Sequence, residues 1–311
     1  MFTQRIKHCL VTITMLLCSL VVSAHDFEVD GVYYRITSSA NLTAEVTYRG
    51  RSSYEYSDEY SGTINIPSVV NYNENSYSVT RIGDYAFSEC SNLTSVIIPE
   101  GVTSIGYEAF SYSYALTTIN IPEGVLSIGH SAFFNCSNLV SITIPKSVTS
   151  ILHYAFYGCS NLASITIPEN VKDIGWGVFE GCSNLTSVTI LEGVTFIGPY
   201  EFQNCSSLSS ITIPESVTRI ESSAFYGCSS LSTITFPKSV TSIGSSAFSG
   251  CKSLISITIP EGVTSIDSGV FDGCSSLSAI TIPENVTHIG DHAFYNCSSL
   301  TYILCKATIP P

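Results

Sequence analysis

Charged side chains are scarce in this 311-residue chain, in which Asp, Glu, Lys and Arg together account for 12% of the residues. Lys and Arg number 12 against 25 Asp and Glu, which gives a formal net charge of −13. Binding to nucleic acid depends on Lys and Arg contacts to phosphates. The shortage of basic residues therefore argues against a nucleic-acid partner.

Long apolar runs are also missing, apart from one near the start that extends from Leu10 to Val22. It follows Arg5 and Lys7 and precedes Ala24, and it is shorter than the roughly 20 residues that a membrane span requires. This pattern predicts a secretory signal over residues 1–24, so the protein is expected to be secreted or held at the cell surface. A lipid anchor at Cys18 is the weaker alternative, because Leu17 stands where a small residue is expected.

Sequence motifs for catalysis are absent: the chain has no nucleophile elbow, phosphate-binding loop or HExxH motif. The prediction is a protein that is not an enzyme and carries no cofactor. His130 and His153 lie 23 residues apart at one repeat position and could share a metal ion. No third ligand is specified, so no metal site is predicted.

What the chain does contain is repetition. Ten copies of a 23-residue unit run without insertion or deletion from Ile82 to Pro311. Isoleucine opens every copy, and phenylalanine follows five residues later in each, from Phe87 to Phe294. A fixed period of this length is typical of stacked units that cannot bury their apolar faces alone. The sequence therefore predicts a solenoid whose function resides on its surface.

Each unit predicts one coil of the solenoid. In the eighth copy, Leu254 to Pro260 alternates apolar and polar residues, which indicates a short parallel strand that ends at the proline. Val263 to Ile266 predicts a second extended segment, and Gly244 permits a tight turn. The following Ala-Phe-x-x-Cys-x-x-Leu spacing predicts a single helical or 3₁₀ turn with Phe, Cys and Leu in the core.

Cysteine occupies one repeat position in nine of the ten copies, with Ser113 in the second copy and Cys305 standing apart. Export favours disulfides. However, equivalent residues of stacked coils are about 5 Å apart with parallel Cα–Cβ bonds, whereas a disulfide needs Cβ atoms about 3.8 Å apart. The register therefore predicts a ladder of free, buried thiols.

The motif Leu-x-x-Ile-x-Ile-Pro-x-x-Val-x-x-Ile-Gly-x-x-Ala-Phe-x-x-Cys resembles the BspA-like, Treponema-type leucine-rich repeat family of bacterial and protist surface proteins. The resemblance covers residues 82–311. It implies a right-handed leucine-rich-repeat superhelix at the cell surface, with a bacterial envelope as the expected location. It also implies binding to proteins, as adhesins do in some members, and supplies no shared catalytic residues.

Residues 25–81 do not follow the 23-residue repeat and are predicted to form a β-rich N-terminal cap. Asp30-Gly31 predicts a hairpin, and Thr63 to Pro67 already matches the repeat strand. At the other end, residues 82–311 finish without a polar closing element. A fragment and a chain that lacks a following module are both consistent with this ending.

The turn after the opening isoleucine varies most between copies. Aromatic side chains are concentrated there in copies 1 to 6, whereas copies 7 to 9 carry serine and glycine. The predicted partner-binding residues are Tyr107, His130, His153, Trp176 and Tyr200. Drift in a neutral turn is the alternative explanation.

The strand face instead carries ranks of Ser and Thr, such as Ser141 and Thr143, which suit a solvated sheet better than an ice-binding array. The predicted function is recognition of an extracellular protein or glycan, for example a host matrix protein. A spacer or stalk module without a ligand of its own is the alternative.

Overall fold

The computed structural model describes residues 23–50 and 57–306. The predicted signal segment, residues 1–24, lies outside the described residues except for its last two positions. Within the described ranges the chain forms 25 β-strands and no helix. No helix among these residues is long and apolar enough to span a membrane.

Six strands precede the regular coils. They are β1 (Phe27–Val29), β2 (Val32–Ser38), β3 (Thr43–Thr47), β4 (Gly62–Asn65), β5 (Val69–Tyr72) and β6 (Asn75–Ile82). Strands β1, β2 and β3 are antiparallel, and the β1–β2 hairpin turns at Asp30 and Gly31, whose φ angles of 51° and 78° agree with the predicted turn. Strand β3 then pairs in parallel with β6, and β4 pairs in parallel with β7 (Leu93–Ile97), which joins this segment to the first full coil.

Each regular coil contributes one longer and one shorter strand. The longer strands are β7 (Leu93–Ile97), β9 (Thr118–Asn120), β11 (Ser141–Thr143), β13 (Ser164–Ile167), β15 (Ser187–Ile190), β17 (Ser210–Thr212), β19 (Thr233–Thr235), β21 (Ser256–Thr258), β23 (Ala279–Ile282) and β25 (Tyr302–Cys305). The shorter strands are β8 (Ser104–Ile105), β10 (Ser127–Ile128), β12 (Ser150–Ile151), β14 (Asp173–Ile174), β16 (Phe196–Ile197), β18 (Arg219–Ile220), β20 (Ser242–Ile243), β22 (Ser265–Ile266) and β24 (His288–Ile289). Pairing is parallel and in repeat register, for example Ile142 with Ile119. These strands confirm the predicted solenoid of stacked coils.

The core is a column of identical side chains. The phenylalanines of coils 1 to 9 are fully buried, and neighbouring rings from Phe87 to Phe294 stack with centroids 5.1 to 5.9 Å apart. Burying one such side chain stabilises the fold by about 2–3 kcal/mol. Since each ring is covered by the next coil, stability depends on stacking and not on any single coil.

The predicted helical turn takes a different form, which corrects that detail of the sequence-based prediction. In coil 3 the residues Ser131 and Asn135 have left-handed φ angles of 52° and 55°, and the equivalent positions of the other coils repeat the pattern. Backbone N–H groups donate alternately within the coil and to the next one: Phe134 N donates to Ser131 O at 3.0 Å, and Phe133 N donates to Ala155 O at 2.7 Å. Left-handed residues four positions apart prevent a continuous helix.

The cysteine ladder lies against the phenylalanine column. Eight thiols, from Cys136 to Cys297, donate from Sγ to the carbonyl oxygen of the phenylalanine one coil earlier, at 3.0 to 3.2 Å. Ser113 replaces cysteine with a hydroxyl that makes the same bond to Phe87 O at 2.7 Å. Cys305 is exposed and Cys297 is half-buried, so the expectation that every thiol is buried is wrong at the last coil.

Candidate binding surface

The five predicted residues lie on the turn side of coils 2 to 6. Tyr107, His130, His153 and Trp176 share one repeat position, while Tyr200 comes one residue later, at a left-handed position with φ 59°. Trp176 is 52% exposed, Tyr107 40% and Tyr200 39%, and both histidines are half-buried. We refer to these five residues as the aromatic stripe.

Three members of the stripe are in contact with one another. The ring centroids of His130 and His153 are 5.0 Å apart, and those of His153 and Trp176 are 4.9 Å apart. The Tyr107 ring contacts Tyr85 at 5.2 Å instead, and Tyr200 makes no ring contact within the described part of the chain. The three central residues of the stripe are thus in contact, whereas Tyr107 and Tyr200 make no ring contact with them.

A hydrogen bond fixes the tryptophan to the preceding coil. The backbone N–H of Trp176 donates to Nδ1 of His153 at 2.7 Å. Asp84 serves the same purpose at the start of the solenoid, where its Oδ1 accepts from the backbone N–H of Tyr107 at 2.9 Å. A side chain at this repeat position can therefore cap the N–H of the equivalent residue one coil later.

The electrostatics of the stripe follow from this packing. Partial burial lowers the pKa of His153, and the neighbouring His130 lowers it further. A neutral ring is also what the bond from Trp176 requires, because Nδ1 can accept a hydrogen bond only without a proton. At the other end, a hydrogen bond with Glu108 and some desolvation raise the pKa of Tyr107.

A second row of aromatic residues lies four positions further along the same turns, and the sequence reasoning missed it. The rings of Phe134 and Tyr157 stack at 4.5 Å, and Tyr112 contacts Phe134 at 5.4 Å. The Tyr154 ring contacts Tyr157 at 6.0 Å and lies so close to Gly177, the residue after Trp176, that a Cβ there would be 2.7 Å from it. An alignment of the copies would have shown aromatics at these positions.

Coil 6 contains the most unusual core substitution. Glu201 stands where other coils have alanine or valine, is 1% exposed, and has no hydrogen-bond partner for either carboxylate oxygen. Desolvation holds the pKa of this carboxyl well above its ordinary value of 4.5. Burial therefore favours the protonated form of this carboxyl, and its side chain is absent from the surface that carries Tyr200.

Metal binding finds no support in the described part of the chain, which contains no group of three or more His, Cys, Asp or Glu residues suited to an ion. The strand face carries the predicted hydroxyl ranks, and Ser141, Thr143, Ser164 and Thr166 are all exposed. The exposed apolar residues Val140 and Ile255 interrupt the polar surface beside the ranks.

Parallel strands stacked in register, joined by turns that bury a phenylalanine and a leucine in each coil, define the chain as a leucine-rich repeat solenoid. The sequence profile of the BspA type leucine rich repeat region matches residues 80–208 and 195–310, in six copies. The chain belongs to this family. No match was found among curated proteins.

Several solved structures are similar to this chain. A leucine-rich repeat protein from Bacteroides ovatus is 35% identical with a TM-score of 0.82, over 91% of this chain and 72% of the other. The T. pallidum leucine-rich repeat protein TpLRR is 25% identical with a TM-score of 0.53, over 74% of this chain and 90% of the other. The pneumococcal vaccine antigen PcpA, at 21% identity and a TM-score of 0.59 over 90% of this chain and 81% of the other, shares the fold alone.

Proposed function

We propose that this protein is exported and recognises an extracellular protein or glycan through the aromatic stripe. The observation that carries the proposal is the exposed Trp176, held on a rigid turn by its contact with His153 and its hydrogen bond to Nδ1. Tryptophan and tyrosine dominate binding energies at protein interfaces because they offer large, rigid contact areas. Family membership supports a surface location and protein binding, with recognition in place of catalysis.

Preorganisation strengthens the case for recognition. The turns carry alternating hydrogen bonds within and between coils, so the backbone beneath the stripe is already ordered before a partner arrives. An interface built on ordered backbone loses less conformational entropy on binding. We therefore expect the stripe to bind without rearrangement of the coils.

A spacer role is the second candidate, and coils 7 to 9 favour it. At the stripe position these coils carry Ser222, Ser245 and Ser268, and none of the aromatic side chains that distinguish coils 2 to 6. Such a uniform surface suits a module that only separates other parts of a protein.

Binding to a panel distinguishes the two candidates. The chain expressed from His25 is passed over immobilised extracellular matrix proteins and a glycan array, and affinity is measured by surface plasmon resonance. Saturable binding to at least one protein or glycan supports recognition. A complete absence of saturable binding would contradict it and favour the spacer.

A further inference from the structure

A small cavity lies beside the first two coils, away from the aromatic stripe. Its volume is about 350 Å³, and its lining consists of Ser57, Asp58, Glu89, Ser91, Tyr112 and Tyr114. Two tyrosines and two carboxylates thus surround one space. The described residues contribute no Lys or Arg to this lining.

Three of the lining residues depart from the repeat. Glu89 and Tyr112 occupy a left-handed position, with φ angles of 57° and 58°, where the other eight coils have glycine or asparagine. Tyr114 replaces the serine that most coils carry two residues later. A bulky residue at positive φ costs stability relative to glycine or asparagine. The cavity is consequently made by its substitutions and is not a general consequence of coil stacking.

The walls of the cavity combine aromatic and anionic groups. The Tyr112 and Tyr114 rings meet at 66° with centroids 6.1 Å apart, and Tyr114 is 44% exposed. Asp58 Oδ1 accepts hydrogen bonds from the backbone N–H of Ser91 at 2.8 Å and from its hydroxyl, which fixes that carboxylate. The Glu89 carboxylate makes no hydrogen bond or ion pair with any residue in the described ranges.

We propose that this cavity binds a basic side chain, arginine or lysine, of a protein partner. Aromatic faces attract cations at exposed sites such as this one, although more weakly than where water is excluded. Carboxylates add acceptors that a guanidinium or ammonium group satisfies with its N–H donors, whereas a quaternary ammonium has no N–H to donate. The net charge of −13 favours the approach of a basic partner.

The site is separate from the aromatic stripe, and its test does not depend on the proposed function of the stripe. The probe is the peptide acetyl-Gly-Arg-Gly-amide, and binding is followed by NMR through the ring resonances of Tyr112 and Tyr114 at low salt. The lysine peptide, the uncharged citrulline peptide and tetramethylammonium are titrated in parallel. We expect shifts with the arginine and lysine peptides that saturate, and none with citrulline.

Variants connect the binding to the cavity. Glu89→Gln and Tyr114→Ser should each weaken peptide binding by about two- to fivefold. Tyr226→Ser is the matched control, because Tyr226 is 42% exposed on coil 7 and lies outside the cavity. This variant should bind the peptide as the unmodified chain does.

Tyr112→Asn separates binding from folding. Asparagine is the residue of coils 3, 6 and 10 at this left-handed position, so the backbone accepts it, and the relief of backbone strain should offset the lost ring contacts with Tyr114 and Phe134 and keep the Tm within a few degrees of the unmodified chain's. It should nevertheless bind the peptide about two- to fivefold more weakly, because one aromatic wall is gone. Unchanged affinity in all three cavity variants would overturn the proposal. So would equal binding of the citrulline peptide, or binding of tetramethylammonium alone.

Discussion

His153 and Trp176 form the best-defined contact of the aromatic stripe, and it should respond to pH. The folded-state pKa of His153 is lowered from 6.5. The neutral ring that accepts from the Trp176 N–H is therefore favoured above this lowered pKa, and the hydrogen bond is lost as the pH falls through it. Trp176 is the sole tryptophan, so tryptophan emission reports on this residue alone. We expect emission to titrate with a midpoint below pH 6.5.

Two histidine variants control this titration. His153→Gln should abolish the transition, because the titrating ring is removed. His130→Gln should move the midpoint upward, since the charge that lowers the His153 pKa is removed while the ring contact with Trp176 remains. A transition that persists in His153→Gln would show that another group controls the tryptophan.

Glu201 makes a second prediction at the residue scale. Below pH 4.5 its carboxyl is protonated in both the folded and the unfolded chain, so it imposes no pH-dependent cost. Above that pH the unfolded chain ionises while the folded chain keeps the proton, and stability falls by about 1.4 kcal/mol per pH unit until the raised folded-state pKa is reached. Glu201→Ala should therefore raise the free energy of unfolding more at pH 7 than at pH 4.

Urea unfolding at pH 7 and at pH 4 measures the effect. Alanine fits this position, because Ala224 and Ala247 are fully buried at the equivalent sites. The stabilisation should be smaller at pH 4, where only the cost of burying a neutral carboxyl remains, and the exposed Glu284→Ala should show no such difference. Equal stabilisation at both pH values would mean that the Glu201 carboxyl is not held protonated in the core.

At the scale of the repeated element, the cysteine ladder can be examined chemically. Burial raises the pKa of the Cys159 and Cys182 thiols well above 9.0, so the reactive thiolate is suppressed. In the folded protein a thiol reagent at pH 8 should label Cys305 quickly and Cys297 slowly, and leave the other ladder thiols unlabelled. Unfolding without reductant should then expose all ten described cysteines. Four or five disulfides in place of these thiols would contradict the ladder.

The segment before the first coil is proposed to act as a cap. A cluster of charged residues around the buried Glu45 connects this segment to the first coil. Glu45 on β3 is 1% exposed, and its carboxylate pairs with Arg35 and, at 2.9 Å, with Arg81 on β6. Arg81 in turn contacts Asp84 at 2.5 Å. The cluster thus connects the N-terminal hairpins with the residue that caps the Tyr107 N–H.

Removing Glu45 should loosen this connection. Glu45→Ala leaves two guanidinium groups without a buried partner, but both are partly exposed and can regain water, so we expect a loss of about 2 kcal/mol. This loss of stability is measured by thermal unfolding of Glu45→Ala, with Glu100→Ala as a control at an exposed position. A stability equal to that of the control would argue against a cap held by this cluster.

Among the elements, the strands and the phenylalanine column could be predicted from the sequence because apolar periodicity determines which face is buried. The interrupted turn could not, since the left-handed residues Ser131 and Glu108 carry no glycine signal. Register alone placed His130, His153 and Trp176 side by side. The hydrogen bond to Nδ1 and the cavity beside Tyr112 depend on side-chain geometry that the spacing of residues does not encode.

For the whole molecule, the important property is that identical backbone carries different surfaces. Coils 2 to 6 present the aromatic stripe on their turns, while coils 7 to 9 carry Ser222, Ser245 and Ser268 at the stripe position. A coil with serine at the stripe position is therefore an internal control for a coil with an aromatic residue there, because both have the same backbone fold. This asymmetry is the reason for placing recognition in the first half of the solenoid.

The most direct measurement is the affinity of the Trp176→Ala variant for the best partner from the binding panel, beside the double variant Ser245→Ala, Ser246→Ala on coil 8. Trp176 is 52% exposed, so its loss should change stability by only about 0.5 kcal/mol. Binding should weaken by about 2 kcal/mol or more, roughly 30-fold, while the serine variant binds as before. Unchanged affinity of a folded Trp176→Ala protein would contradict recognition through the aromatic stripe.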